Sequence, residues 1–217
     1  ELGPYILLAS LEGAVTAASF LPDGTGLISG GADKTLRQWT LADGKQLRTF
    51  SGVTDAVSDL AVAGDGSVLI AASADKFIRA WPVPAAAAAA VAPTAAWESA
   101  TAIHGVSVNE DGARIVSGAE DGIVRVRDTA TGLVLERFSA HSMPALAVAI
   151  SKDGSTVLSG SADKSAVVSF VSAQRVWVGD AANVADAAFI SDGSAIVTAG
   201  TDKVVKLFEL EGKVVGQ

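Results

Sequence analysis

The 217-residue sequence contains no cysteine, a single methionine, a single tyrosine and only two histidines. The lack of cysteine excludes disulfides, thiol nucleophiles and thiolate metal ligands, while leaving the compartment open, since a cysteine-free chain tolerates either redox environment. The shortage of histidine leaves His104 and His141 as the only imidazoles for acid–base or metal chemistry. Charge is also sparse: 18% of residues are charged, the net charge is −8, and no two of the 16 basic residues are adjacent. Tracking a phosphate backbone needs clustered positive charge, so nucleic acid is not expected as a partner. Long apolar runs are missing too. The longest, Pro82 to Trp97, is mostly alanine and is broken by Pro84 and Pro93, so no membrane insertion is expected. The N-terminal Glu1-Leu2-Gly3-Pro4-Tyr5-Ile6-Leu7-Leu8 has no basic flank, which argues against a signal peptide. The expectation from these absences is a soluble chain of undetermined location, and the lack of an initiator Met suggests a processed form or a piece of a longer protein.

What the sequence has is apolar residues (49%), 22 glycines and a repeat. Asp-Gly occurs at Asp23, Asp65, Asp111, Asp153 and Asp192, at spacings of 42, 46, 42 and 39. A second aspartate follows each pair ten residues on, at Asp33, Asp75, Asp121, Asp163 and Asp202. Between the two lies a short apolar run such as Val68-Leu69-Ile70, and Asp-Gly flanked by such runs is a strong hairpin signal because Gly accepts positive φ. After the second aspartate comes an alternating run, as in Thr35-Leu36-Arg37-Gln38-Trp39, whose period of two predicts a strand buried on one face. A turn such as Asp43-Gly44 or Thr131-Gly132 then leads into a fourth segment. The unit is four antiparallel strands, repeated over about 10–52, 53–97, 98–141, 142–180 and 181–217, with 1–9 as an additional outer strand.

Four short strands recurring at this period describe a propeller blade. The string Phe20-Leu21-Pro22-Asp23-Gly24, followed by Leu27-Ile28-Ser29-Gly30-Gly31-Ala32-Asp33-Lys34-Thr35-Leu36-Arg37-Gln38-Trp39, resembles the WD40 repeat, and the resemblance runs over almost the whole chain. It implies an all-β fold in one propeller domain spanning 1–217. In the family, a histidine ahead of the first strand links through the turn aspartate and a second-strand hydroxyl to a third-strand Trp. Here the histidine position holds Leu11, Val53, Ser99, His141 and Asp180, and the Trp position holds Trp39, Trp81, Arg127, Ser169 and Phe208. No repeat has all four. The hydroxyls Ser29, Ser117, Ser159 and Thr198 remain, so the blades are expected to be held mainly by apolar packing, with each aspartate organising its own turn.

Five repeats are fewer than the family's usual count. Tyr5 to Ser10 aligns with the fourth strand of the first repeat, while Gly212 to Val215 offers a fourth strand for the last, so two strands compete for one place. Both a closed five-bladed ring and an incomplete arc are open, with preference for the arc. An arc needs its end faces covered by further blades of the same or another chain, or by a second copy. The insertion from Val83 to Thr94, with six consecutive alanines, reads as an inert loop with a short helical turn, or alternatively as a flap that packs on a partner.

Neither histidine recommends catalysis. His141 sits at the family's histidine position with Asp163 and Ser159 as expected neighbours, and His104 reads as a half-buried strand residue. The repeat aspartates read as turn residues rather than metal ligands. Lys34, Lys76, Lys164 and Lys203 read as solvated cations at strand starts, and no serine lies in a Gly-x-Ser-x-Gly elbow. No catalytic, cofactor or metal residues are assigned, and no cofactor is expected. The residue before each turn aspartate, which resembles a family contact position, gives a nearly uncharged candidate partner face: Ala32, Ala74, Glu120, Ala162 and Thr201. The expected function is a non-catalytic protein-interaction scaffold. The alternative is a propeller enzyme or a carbohydrate or small-ligand module with its site in the central channel, which several inward carboxylates or histidines on the first strands would favour.

Overall fold

In the computed structural model, residues 13–83, 90–172, 184–189, 195–200, 204–209 and 214–216 are described. They are divided between two compact units, Glu1–Ser172 and Ala173–Gln217. Among these described residues every regular element is a β-strand. The first sheet comprises β1 (Val15–Phe20), β2 (Gly26–Gly31), β3 (Leu36–Thr40) and β4 (Gln46–Phe50) in antiparallel order. The second comprises β5 (Val57–Val62), β6 (Val68–Ser73), β7 (Phe77–Pro82) and, after the insertion that carries β8 (Ala90–Val91), β9 (Ala95–Glu98). The third is β10 (Ile103–Val108), β11 (Arg114–Ala119), β12 (Val124–Asp128) and β13 (Val134–Phe138), and the fourth is β14 (Ala145–Ile150), β15 (Thr156–Ser161) and β16 (Ala166–Phe170).

The other unit holds one sheet of β17 (Val184–Phe189), β18 (Ala195–Gly200), β19 (Val205–Glu209) and β20 (Val214–Gly216). Its fourth strand is therefore the C-terminal segment, paired through Leu207 with Gly216 and Phe208 with Val214. Tyr5 to Ser10, the competing strand, lies outside the described residues.

The Asp-Gly turns do what their chemistry demands. Gly24, Gly66, Gly112 and Gly154 all have φ between 69° and 74°, the left-handed region that glycine enters without cost. The first strand of every sheet also carries a bulge at one register position, as between Val57 and Asp59 or Ile103 and Gly105. A repeated bulge bends each first strand in the same way.

Within the first unit, apolar side chains are buried between successive sheets. Ile28, Leu36 and Phe50 of the first pack with Val57, Leu60, Leu69 and Trp81 of the second. Ile70, Ile78 and Ala80 of the second pack with Ile103, Val106 and Ile115 of the third, and Val116, Val124 and Val126 of the third with Ala145 and Val157 of the fourth. One register position shows the logic of stacking. Ile28, Ile70 and Val116 are fully buried, yet Leu158, at the same place in the fourth sheet, is 49% exposed. Val126 and Val168 repeat the contrast at 0% and 56%. Each repeat carries the same apolar face, and within the first unit packing between successive sheets buries it.

The insertion corrects an expectation. Its described end is neither an inert loop nor a free flap, because β8 joins the outer edge of the first sheet in parallel, pairing Thr49 with Ala90 and Phe50 with Val91. The Ser51 N–H donates to the Val91 carbonyl at 2.9 Å, and Val91 is buried in the first apolar cluster. The second blade thereby covers the first blade's otherwise open edge strand. The expected helical turn falls on residues 84–89, outside the described ones.

Candidate functional site

Each described turn aspartate sits between its second and third strands and accepts the N–H two residues on. The donors are Thr35 to Asp33 (3.2 Å), Phe77 to Asp75 (3.0 Å), Ile123 to Asp121 (3.1 Å) and Ser165 to Asp163 (2.9 Å). Two aspartates also reach the chain entering the first strand: Asp75 accepts from the Thr54 N–H and hydroxyl, and Asp163 from the Ser142 N–H. Asp202 lies outside the described residues.

The sequence reading missed a charged partner of three of these aspartates. An arginine four residues on closes an ion pair in three blades: Asp33 with Arg37 at 2.7 Å, Asp75 with Arg79 at 2.8 Å and Asp121 with Arg125 at 2.5 Å. In the fourth blade Val167 occupies that place. The Asp-x-x-x-Arg spacing is legible in the sequence, but spacing alone does not say whether the two side chains meet. Arg125 first of all, with the Ile123 N–H, holds the Asp121 carboxyl below its ordinary range, against a partial rise from burial. Burial raises Asp75 in the same way, but bonds from Arg79, Ser73 and Thr54 outweigh it and leave its pKa well below normal.

The residue after the aspartate has a conformational role as well. Lys34, Lys76 and Lys164 have φ of 66°, 69° and 71°, and Gly122 takes the same place in the third blade at 73°. A lysine there is a strained turn residue rather than merely a solvated cation.

The tetrad position differs from blade to blade. Trp39 Nε1 donates to Ser29 Oγ at 2.8 Å in the first, whereas Trp81 Nε1 in the second donates to the Ser51 carbonyl at 2.9 Å. In the third, Arg127 Nη1 takes over the donation, to Ser117 Oγ at 2.9 Å. In the fourth, His141 is fully buried, with Nε2 2.8 Å from Ser159 Oγ and Nδ1 2.9 Å from Ser165 Oγ and 3.3 Å from Asp163. The bond from Ser165 is the main reason the Asp163 carboxyl lies well below its normal range.

Beside the aspartates runs the candidate partner face. The N–H of Ala32, Ala74, Glu120 and Ala162 donates to the carbonyl of Ala14, Ala56, Ala102 and Pro144 respectively, at 2.8 to 3.1 Å. Four blades thus present this residue in one backbone geometry. Ala32, Ala74 and Glu120 are exposed and Ala162 is half-buried, while Thr201 lies outside the described residues. The fold brings His104 to this face, with Nε2 2.6 Å from Glu120 Oε2. The two residues are sixteen apart, His104 on β10 and Glu120 in the turn after β11, which is why periodicity alone did not join them. On the first strands Asp59 is half-buried. Burial raises its carboxyl pKa, and it accepts the Val106 N–H at 2.8 Å and the Leu60 N–H, so that it ties β5 to β10. Among the described residues no group of three or more metal-ligating side chains converges, and no helix is long and apolar enough to cross a membrane.

A sequence profile described as "WD domain, G-beta repeat" matches residues 6–40, 44–82, 94–128, 132–168 and 172–209. Segment 44–82 begins at β4 and ends at β7, so the sequence repeat runs one strand out of step with the sheet. No curated protein matches the chain by sequence. Among solved structures, the crystal structure of the computationally designed Ika4 protein superposes with a TM-score of 0.65 at 23% identity, over 78% of this chain and 99% of that one. At that identity the likeness speaks for the fold alone.

Proposed function

The chain belongs to the WD40-repeat family, and from that premise we propose that it is a non-catalytic protein-interaction scaffold that docks a peptide or domain on the face formed by Ala32, Ala74, Glu120 and Ala162. WD40 repeats generally mediate protein interaction. The observation that carries the reading is the shared backbone bond that holds these four residues in one orientation on successive blades. Small side chains leave the face shallow, and its one charged member, Glu120, is already engaged by His104. Such a surface favours apolar contact over recognition of a highly charged ligand. The turn aspartates serve this function indirectly, by fixing the turns that carry the face.

The rival reading, chemistry in a central channel, would call on Asp59 and His104 from the first strands of the first unit. Both already hold partners within the fold, which favours the scaffold. The test is selection of binding peptides from a displayed library against the native chain, followed by measurement on Ala32→Arg and Ala74→Arg. Both positions are exposed, so unfolding temperature should hold while the selected peptides lose affinity. Peptides that bind both variants undiminished, or any turnover dependent on His104, would refute the proposal.

A further inference from the structure

The third blade departs from its neighbours where the family carries its two bulkiest polar residues. Ser99 stands in the histidine position and Arg127 in the tryptophan position. Replacing an imidazole by a hydroxymethyl and an indole by a slender chain leaves space. A cleft of about 460 Å³ opens there, lined by Trp97, Ser99, Arg125, Arg127, Gly132 and Arg137 among others. Trp97 forms one wall. Its indole lies so close to Gly132, whose φ is 73°, that a Cβ at that position would collide with Nε1.

Three guanidinium groups share this cleft. Arg125 and Arg137 stand directly opposite each other across the β12–β13 ladder, and Arg127 follows Arg125 by two residues on the same face. Like charges in such a pair destabilise a sheet, so compensation is required. Asp121 compensates Arg125 and no other. Arg127 is 5% exposed and makes one side-chain hydrogen bond, to neutral Ser117, from a group with five N–H donors. Among the described residues no carboxylate lies within ion-pair distance of Arg127 or Arg137, although Glu98 stands at the rim of the same cleft. Burial first, then repulsion by Arg125 and Arg137, lowers the Arg127 pKa to about 10. In a chain of net charge −8, two uncompensated positive charges facing one polar cleft are out of character.

We propose that this cleft is an oxyanion site for a doubly charged tetrahedral group, a phosphate monoester or phosphate itself, held by Arg127 and Arg137 with Ser99 on the cleft wall. A phosphate monoester carries about 1.5 to 2 negative charges at neutral pH, which suits the two guanidinium groups better than a single carboxylate, which would leave one uncompensated. The planar, fixed donors of arginine suit such an anion better than a lysine would.

The chemistry is the same for free phosphate and for a phosphorylated side chain, and calorimetric titration of the full chain with each separates the two sources. The probes are inorganic phosphate, a short phosphoserine peptide, and that peptide unphosphorylated. Saturable binding of phosphate assigns the site to the free anion. Binding of the phosphopeptide alone assigns it to a modified protein, and either result supports the site. Arg137 is exposed, so Arg137→Gln should fold normally and weaken binding at least about tenfold. Arg127→Gln should abolish it, and without anion should unfold no lower than the native chain, because a buried uncompensated charge has been removed. If Arg127→Gln fails to fold, the charge reversal Arg137→Glu carries the test. The proposal is overturned if neither phosphate nor phosphopeptide binds saturably, if the unphosphorylated peptide binds equally well, or if Arg137→Gln and Arg137→Glu leave affinity unchanged.

Discussion

Replacing Asp75 by alanine tests how the blades are held together. The carboxylate accepts from the Phe77 N–H at 3.0 Å, from the Thr54 hydroxyl at 2.5 Å, from Arg79 at 2.8 Å and from the Ser73 hydroxyl. The side chains of Asp75 and Arg79 are only 13% and 9% exposed. Asp75→Ala therefore leaves a buried guanidinium without its counter-charge, its remaining contacts being the neutral Ser73 hydroxyl at 3.2 Å and the Phe77 ring at 4.9 Å. Removing one partner of a buried pair costs about 3 to 5 kcal/mol, a large share of the total stability of a domain. Urea unfolding followed by Trp fluorescence at neutral pH measures the loss.

The double variant Asp75→Ala/Arg79→Leu should recover much of it, because an apolar replacement of the whole pair leaves no charge behind. The pH dependence carries the opposite signature. The folded Asp75 pKa lies below its ordinary 3.8, so its contribution is fully present above that value and is lost as pH falls through the folded pKa. The stability of Asp75→Ala should accordingly fall less steeply on acidification than that of the native chain. A loss below about 1 kcal/mol, or a double variant as unstable as the two single losses added, would refute the buried-pair account.

Three further outcomes follow from the same geometry. His141→Ala removes a fully buried ring with three polar contacts and should cost about 2 to 4 kcal/mol in thermal or chemical unfolding; an unchanged midpoint would contradict the contacts. Val126→Ser and Val168→Ser occupy equivalent positions at 0% and 56% exposure, so the first should cost above about 1.5 kcal/mol and the second below about 0.5, and equal losses would mean that Val168 is covered. Lys164→Gly relieves a φ of 71° and should be neutral or stabilising by up to about 1 kcal/mol, whereas a clear loss would show that the lysine side chain matters more than its backbone.

The sequence by itself determined the unit of construction. Asp-Gly at Asp23, Asp65, Asp111 and Asp153 fixes four hairpins through local backbone chemistry, and alternation fixes which face of each strand is apolar. Those are interactions between residues close in the chain, so their spacing exposes them. Arg37, Arg79 and Arg125 were in principle equally legible, but whether an arginine four residues from an aspartate pairs or is solvated depends on burial, and burial comes from the adjacent blade. Tertiary structure alone decided the rest. It joined His104 to Glu120, set β8 against β4, and gathered Arg125, Arg127 and Arg137 around one cleft beside Trp97. Each of these depends on register between strands or on packing between blades, and neither is encoded in the period of a single repeat. Leu158 states the division most simply: its sequence position is that of buried Ile28, Ile70 and Val116, yet it is half exposed, so burial follows from packing and not from the repeat.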